Sequence, residues 1–120
     1  MYDACAPLTI AAPGHGDTVR DAFALWGMEP REGGAEIPLV FDDAAEAFHG
    51  LYDDERGIIY INSRITNPRA LAIVIAHELG HAMGLPHIEA TSIMRSGNTT
   101  IAPTSDDEAR LRALWGECDL

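Results

Sequence analysis

Basic side chains are scarce in this sequence: 8 Lys and Arg stand against 19 Asp and Glu, for a formal net charge of −11. Nucleic acid and anionic membrane surfaces both demand positive charge, so the balance argues against either as a partner. Neutral or basic peptides suit it better, although salt screens long-range steering. No apolar run approaches the 18 or so residues of a membrane span. Residues 1–12 lack the basic start and continuous apolar core of a signal peptide. Internal repeats, low-complexity runs and linkers are missing too, and 120 residues leave room for one core but not two. A single domain over residues 1–120 is therefore expected. Cysteine is limited to Cys5 and Cys118, near opposite ends. A disulfide between them would close a loop of more than a hundred residues, worth about 4–5 kcal/mol in the chain-entropy model. Free thiols are the alternative.

What is present is concentrated in one stretch, His77-Glu78-Leu79-Gly80-His81-Ala82-Met83-Gly84-Leu85-Pro86-His87. On an α-helix four residues advance about 400°, so His77 and His81 project from one face and can grip one ion. Glu78, beside the first ligand, can reach a water on that ion. Gly84 suits the left-handed position that closes a helix, having no Cβ to clash. Pro86 cannot continue a helix, so the chain turns back and can deliver His87 as a third ligand. Three neutral imidazoles with a fourth position open are a catalytic zinc site, since structural sites are closed and usually use cysteine. The bland reading is a helix with two surface histidines and a solvated glutamate. Against it, Leu71, Ile73, Val74, Ile75, Leu79 and Met83 make the helix apolar, as a buried active-site helix should be.

The motif resembles the extended zinc signature of the metzincin metallopeptidases. Ser92-Ile93-Met94-Arg95 looks like the Met-turn of that family, and Gly80 before the second ligand is similar to the matrixin branch. So are Ala22-Phe23-Ala24-Leu25-Trp26 in the first helix and the paired Asp106 and Asp107 of the last one. The resemblance implies an α+β fold of the α/β/α-like metzincin kind. A small twisted mixed sheet would pack on an N-terminal helix and the zinc helix. An irregular C-terminal part with the Met-turn and a terminal helix would follow, the subdomains meeting near residues 84 and 85. It implies one catalytic Zn2+ on His77, His81 and His87, Glu78 as general base and Met94 as a hydrophobic base beneath the ligands. A secreted monomer acting on protein or peptide is expected, with signal and any pro-segment absent from this chain. A sharper reading of Cys5, as an inhibitory thiolate on the zinc, also stays open. The Pro-Arg-Cys-Gly switch of matrixins is not present.

Along the rest of the chain, Leu8-Thr9-Ile10 reads as a short strand. Residues 17–28 read as a helix with Val19, Phe23 and Trp26 at helical spacing and Asp17 as N-cap. Ile37-Pro38-Leu39-Val40-Phe41 reads as a strand whose Pro38 should lie near an end or on an edge. Gly57-Ile58-Ile59-Tyr60-Ile61-Asn62 is the strongest strand signal. By resemblance, Gly57, Ile58, Ile59 and Tyr60, or the loop leading into them, form the edge to which extended substrate adds as an antiparallel strand. A place inside the sheet is the equal alternative. Asn67-Pro68 starts the zinc helix as N-cap and N1. Residues 99–103, with Ile101 and Pro103, should wall the primed-side pocket. Ser105-Asp106-Asp107-Glu108 reads as a capping box, with Leu111, Leu114 and Trp115 as a buried stripe and Gly116 as the stop. Asp42, Asp43, Glu46, Asp53, Asp54 and Glu55 could hold Ca2+, but without regular loop spacing a solvated loop fits better. Matrixins carry a second, structural zinc in this region; only His49 is at hand here, so that site is expected to be missing.

Zinc-dependent endopeptidase activity is thus the expected function. The rival is a metal-binding, catalytically silent or self-inhibited peptide-binding domain of the same fold; a zinc ion that serves stability alone is a third.

Overall fold

Alternating burial builds the sheet. In β2 (Ala35–Asp42), Ile37 and Leu39 are buried while Glu36, Pro38 and Val40 face solvent, the period-two pattern of a strand with one covered face. The computed structural model describes residues 1–43 and 49–118, and Glu46 falls outside them. Four strands lie in the order β1-β2-β4-β3, with β1 at Leu8–Ala11, β3 at Gly50–Asp53 and β4 at Ile58–Asn62. β1 runs parallel to the first half of β2, from Leu8 opposite Ala35 to Ala11 opposite Pro38. β4 runs parallel to its second half, from Leu39 opposite Ile59 to Asp42 opposite Asn62. Pro38 therefore stands inside an interior strand, not at an end or on an edge. Its missing N–H is tolerated because the ladder to β4 begins one residue later, at Leu39.

β3 pairs antiparallel with β4, Gly50 opposite Ile61 and Asp53 opposite Ile58. β4 is thus flanked on both sides, and its Ile59 and Ile61 are fully buried. Of the two places open to this strand from sequence, the inner one is found, and the outer place beside it belongs to β3.

Helix α1 (Gly16–Leu25) buries Val19, Ala22 and Phe23. Its N-cap is His15, whose side chain makes no cap bond, and Asp17 sits in the first turn, paired with Arg20 at 3.0 Å. Helix α2 (Pro68–Ala82) starts as its sequence dictates, the Asn67 side chain accepting from the Ala70 N–H with Pro68 in the first turn. The Trp26 indole donates to the Ala76 carbonyl at 2.9 Å and locks α1 onto α2.

The end of α2 is held by both termini. Its carbonyls at Ala82 and Met83, which have no partner further along the helix, accept from the Tyr2 N–H at 2.7 Å and the Trp115 indole at 2.8 Å. Trp115 ends α3 (Ser105–Trp115), and a Cys5–Cys118 disulfide ties that end back to the N-terminal segment. Cys5 is therefore no thiolate facing the histidines. α3 is capped by Thr104 with Asp107, one residue before the expected box. Its apolar residues do not form a buried stripe: Leu114 is 48% exposed, and only Asp107 is fully enclosed. Leu111 and Trp115 are partly buried against the core, and the Trp115 indole and the Asp107 carboxylate add hydrogen bonds to the body of the molecule. Among the described residues, no helix is long and apolar enough to cross a membrane.

Candidate metal centre

One turn of α2 separates His77 from His81. The turn after the helix, opened by Gly84 at φ +103°, brings His87 back beside them. Candidate ligand atoms of the three lie within 4.8 Å of one another. Nε2 of His77 and Nε2 of His87 are 3.3 Å apart. Two nitrogens bound tetrahedrally to one zinc at about 2.0–2.1 Å would be separated by roughly 3.3–3.4 Å. The donor set therefore fits zinc in chemistry, and the His77–His87 pair fits it in spacing.

The far side of two rings is fixed by backbone. His77 Nδ1 lies 2.6 Å from the Ile93 carbonyl and His81 Nδ1 lies 2.7 Å from the Leu85 carbonyl. A carbonyl only accepts, so each Nδ1 carries the proton and each Nε2 keeps its lone pair for the ion. Burial lowers the pKa of His77 to about 4, with repulsion from His81 and His87 adding to it against the raising effect of the Ile93 bond. His81 is lowered for the same leading reason. Both rings are neutral near pH 7, as ligands must be.

Glu78 is 4% exposed. Burial raises its carboxyl to about pKa 8, although the Tyr52 backbone N–H donates to it and pulls the other way. The edge strand presses close here. A Cβ on Gly50 would stand 2.9 Å from Glu78 Oε2 and 3.1 Å from Val74 Cγ1, so any larger residue would have to push this carboxylate aside.

Beneath the histidines lies the turn that carries Met94. Met94 is fully buried, and a Cβ on Gly80 would sit 2.5 Å from its sulfur. The glycine between Leu79 and His81 is thus the recess that receives Met94. Asp107 supports the turn from below, accepting from the Ser92 hydroxyl at 2.5 Å and the Ile93 N–H at 3.0 Å.

The centre opens into a cleft of about 870 Å³. Gly50, Leu51 and Tyr52 of β3 line one side, His77, Glu78 and His81 the floor, and Ser96, Gly97 and Asn98 the opposite wall. Met1 and Asp54 stand at one end, joined by a 3.5 Å ion pair with the N-terminal ammonium. Of the residues expected to meet substrate, none of Gly57, Ile58, Ile59, Tyr60, Ile101 and Pro103 lines this cleft. β4 lies one strand deeper than β3, and the Ile101 backbone is engaged by the Asn98 side chain. Sequence reasoning missed Gly50 and Tyr52, because Gly50-Leu51-Tyr52-Asp53 is too short to signal a strand. It missed Asn98 because Ser-Gly-Asn-Thr-Thr reads only as a turn. Among the described residues, the three histidines are the group of His, Cys, Asp and Glu that converges as a metal site could.

Two histidines a helical turn apart, a third beyond the helix end and a carboxylate beside the first have the architecture of a zinc metallopeptidase centre. The matrixin family model matches residues 12–116, and the chain belongs to that family of zinc metallopeptidases. A search of curated proteins finds no match.

Proposed function

We propose that this protein is a zinc-dependent endopeptidase in which Glu78 is the general base and His77, His81 and His87 hold the metal. The observation that carries the reading is the placement of Glu78: sealed from bulk water, one residue from a ligand, and on the floor of an open cleft. Zinc at the three histidines would polarise a peptide carbonyl and acidify the water beside it. Glu78 would take the proton of the attacking water and hand it to the leaving amine. The Tyr52 N–H fixes the carboxylate's orientation. Met94 packs beneath the rings as the Met-turn does in the family.

Substrate would bind along β3, whose outer edge has no strand beside it among the described residues. Backbone pairing there gives affinity without reading sequence. The Cys5–Cys118 disulfide and the family's habit support an exported protein, acting as a monomer on protein or peptide. The decisive experiment is digestion of a proteome-derived peptide library at neutral pH, with zinc, with chelator, and with Glu78→Ala. Cleavage that needs zinc and disappears in the variant supports the reading. Cleavage of wild-type strength by Glu78→Ala refutes the role given to this carboxylate, and a zinc-loaded wild type that cuts nothing refutes the peptidase.

A further inference from the structure

Asn98, which lines the cleft, has its side-chain bonding capacity filled from within the protein. It is 9% exposed. Its Oδ1 accepts from the backbone N–H groups of Thr100 at 3.1 Å and Ile101 at 2.8 Å. Its Nδ2 donates to the carbonyls of Ile101 at 2.7 Å and Ile93 at 3.2 Å. A carboxamide has two donors and two acceptor sites, and all four are used. A hydroxyl or a carboxylate could not make this set.

The Ile93 carbonyl is the point of interest. It receives Nδ1 of His77 at 2.6 Å and Nδ2 of Asn98 at 3.2 Å, which fills both of its lone pairs. On the other side of the same residue, the Ile93 N–H is held by Asp107. Ile93 is thus pinned at both ends, and the end that meets the metal ligand is pinned by Asn98. We infer that Asn98 is a positioning residue for the metal centre: it holds the Ile93 carbonyl where that oxygen fixes His77 Nδ1–H and aims Nε2 at its partners. The inference rests on the proposed function only in taking the triad to bind zinc. Through the same four bonds Asn98 couples the wall of the cleft to the ligand.

The test is zinc affinity, measured by chelator competition on the full chain without reference to activity. Asn98→Ala removes the donor to Ile93 without adding charge. Partners one step from a metal ligand commonly matter 10–100-fold in affinity, so a loss of about 10-fold or more is expected. Ile101→Ala loosens the same loop yet leaves the Ile93 contact in place, and should bind within about twofold of wild type. Equal affinity of Asn98→Ala and wild type overturns the inference, and so does a loss in Ile101→Ala as large as in Asn98→Ala. Should Asn98→Ala fail to fold, Asn98→Asp decides in its place. It keeps both acceptor contacts and loses both donors, and its charge alone would favour a cation, so weakened zinc binding supports the role and unchanged binding overturns it. A second readout needs no metal: in zinc-free protein the His77 Nδ1–H should exchange faster in the variant by NMR. If wild type binds no zinc, the peptidase reading fails, while this exchange measurement still tests Asn98.

Discussion

Two enclosed carboxylates lie on either side of the histidines, and they have opposite surroundings. Asp107, below the Met94 turn, is fully buried and meets donors on every side: the Ser92 hydroxyl, the N–H groups of Ile93 and Thr104, and Arg110 at 3.3 Å. Burial pushes its carboxyl up, but the bonds from Ser92, Thr104 and Ile93 outweigh it and the net shift is downward. Glu78, facing the cleft, is almost as enclosed but has one backbone donor, and it is pushed up to about 8. A carboxylate supplied with donors is a fixed anion that builds structure. One kept short of them is a proton acceptor waiting for a partner. The floor is satisfied, the cleft is not.

The largest effect that tests this contrast is on turnover. Glu78→Gln keeps the shape and removes the carboxylate proposed as the base; on that proposal peptide hydrolysis should fall by about 10²–10⁴-fold while zinc still binds. A steady-state assay alongside metal analysis reads both.

In metal-free protein the same substitution should raise stability. The folded-state value of Glu78 lies above its ordinary one, so the fold favours the neutral form and wild type loses stability as pH rises from about 4.5 to about 8. Gln stays neutral throughout. The advantage of Glu78→Gln should vanish below about pH 4.5, grow with pH and level off above about 8. Its ceiling is about 5 kcal/mol. Chemical denaturation in chelator across this range measures it, and a variant no more stable than wild type at pH 8 would undo the contrast. Asp107 should behave in the reverse sense. Asp107→Asn swaps an acceptor of several donors for a group that donates into them, and should cost about 3 kcal/mol at neutral pH. Since the folded carboxyl titrates low, that cost should shrink as pH falls through the acid range.

Legibility in the sequence followed the range of the physics. His77, Glu78, His81 and His87 were readable because helical spacing and the break at Gly84 and Pro86 are local. Asn67 and Pro68 were readable for the same reason. The edge of the sheet was not, because which strand lies outermost is decided by pairing across the sheet. β4 carries the stronger strand signal yet lies within, and β3 gains its place only by pairing with β4. The cap of α3 shows the same limit at smaller scale. Thr104-x-x-Asp107 and Ser105-x-x-Glu108 both fit the local pattern, and the contest is settled by Ser92 and Ile93, fifteen and fourteen residues away, which draw Asp107 inward. Asn98 signals only a turn, through its bonds to Thr100 and Ile101; its bond to the Ile93 carbonyl, the one that reaches the histidines, has no mark in the sequence.

The smallest effect concerns how tightly the floor is built. Gly80→Ala should by itself help the helix by up to about 1 kcal/mol. The new methyl would, however, meet Met94 Sδ at 2.5 Å and Trp26 Cζ2 at 3.1 Å. Met94 is flexible but fully enclosed, and Trp26 is held by its bond to Ala76, so neither yields freely. Overpacking of this kind costs about 1–3 kcal/mol, leaving a net loss of about 1–2 kcal/mol in thermal unfolding. Most of that loss should disappear in a Met94→Ala background, because the main obstacle is then gone. An undiminished loss there would mean the clash lies with Trp26, and that Gly80 serves the packing of α1 on α2 and not the seat of the Met94 turn.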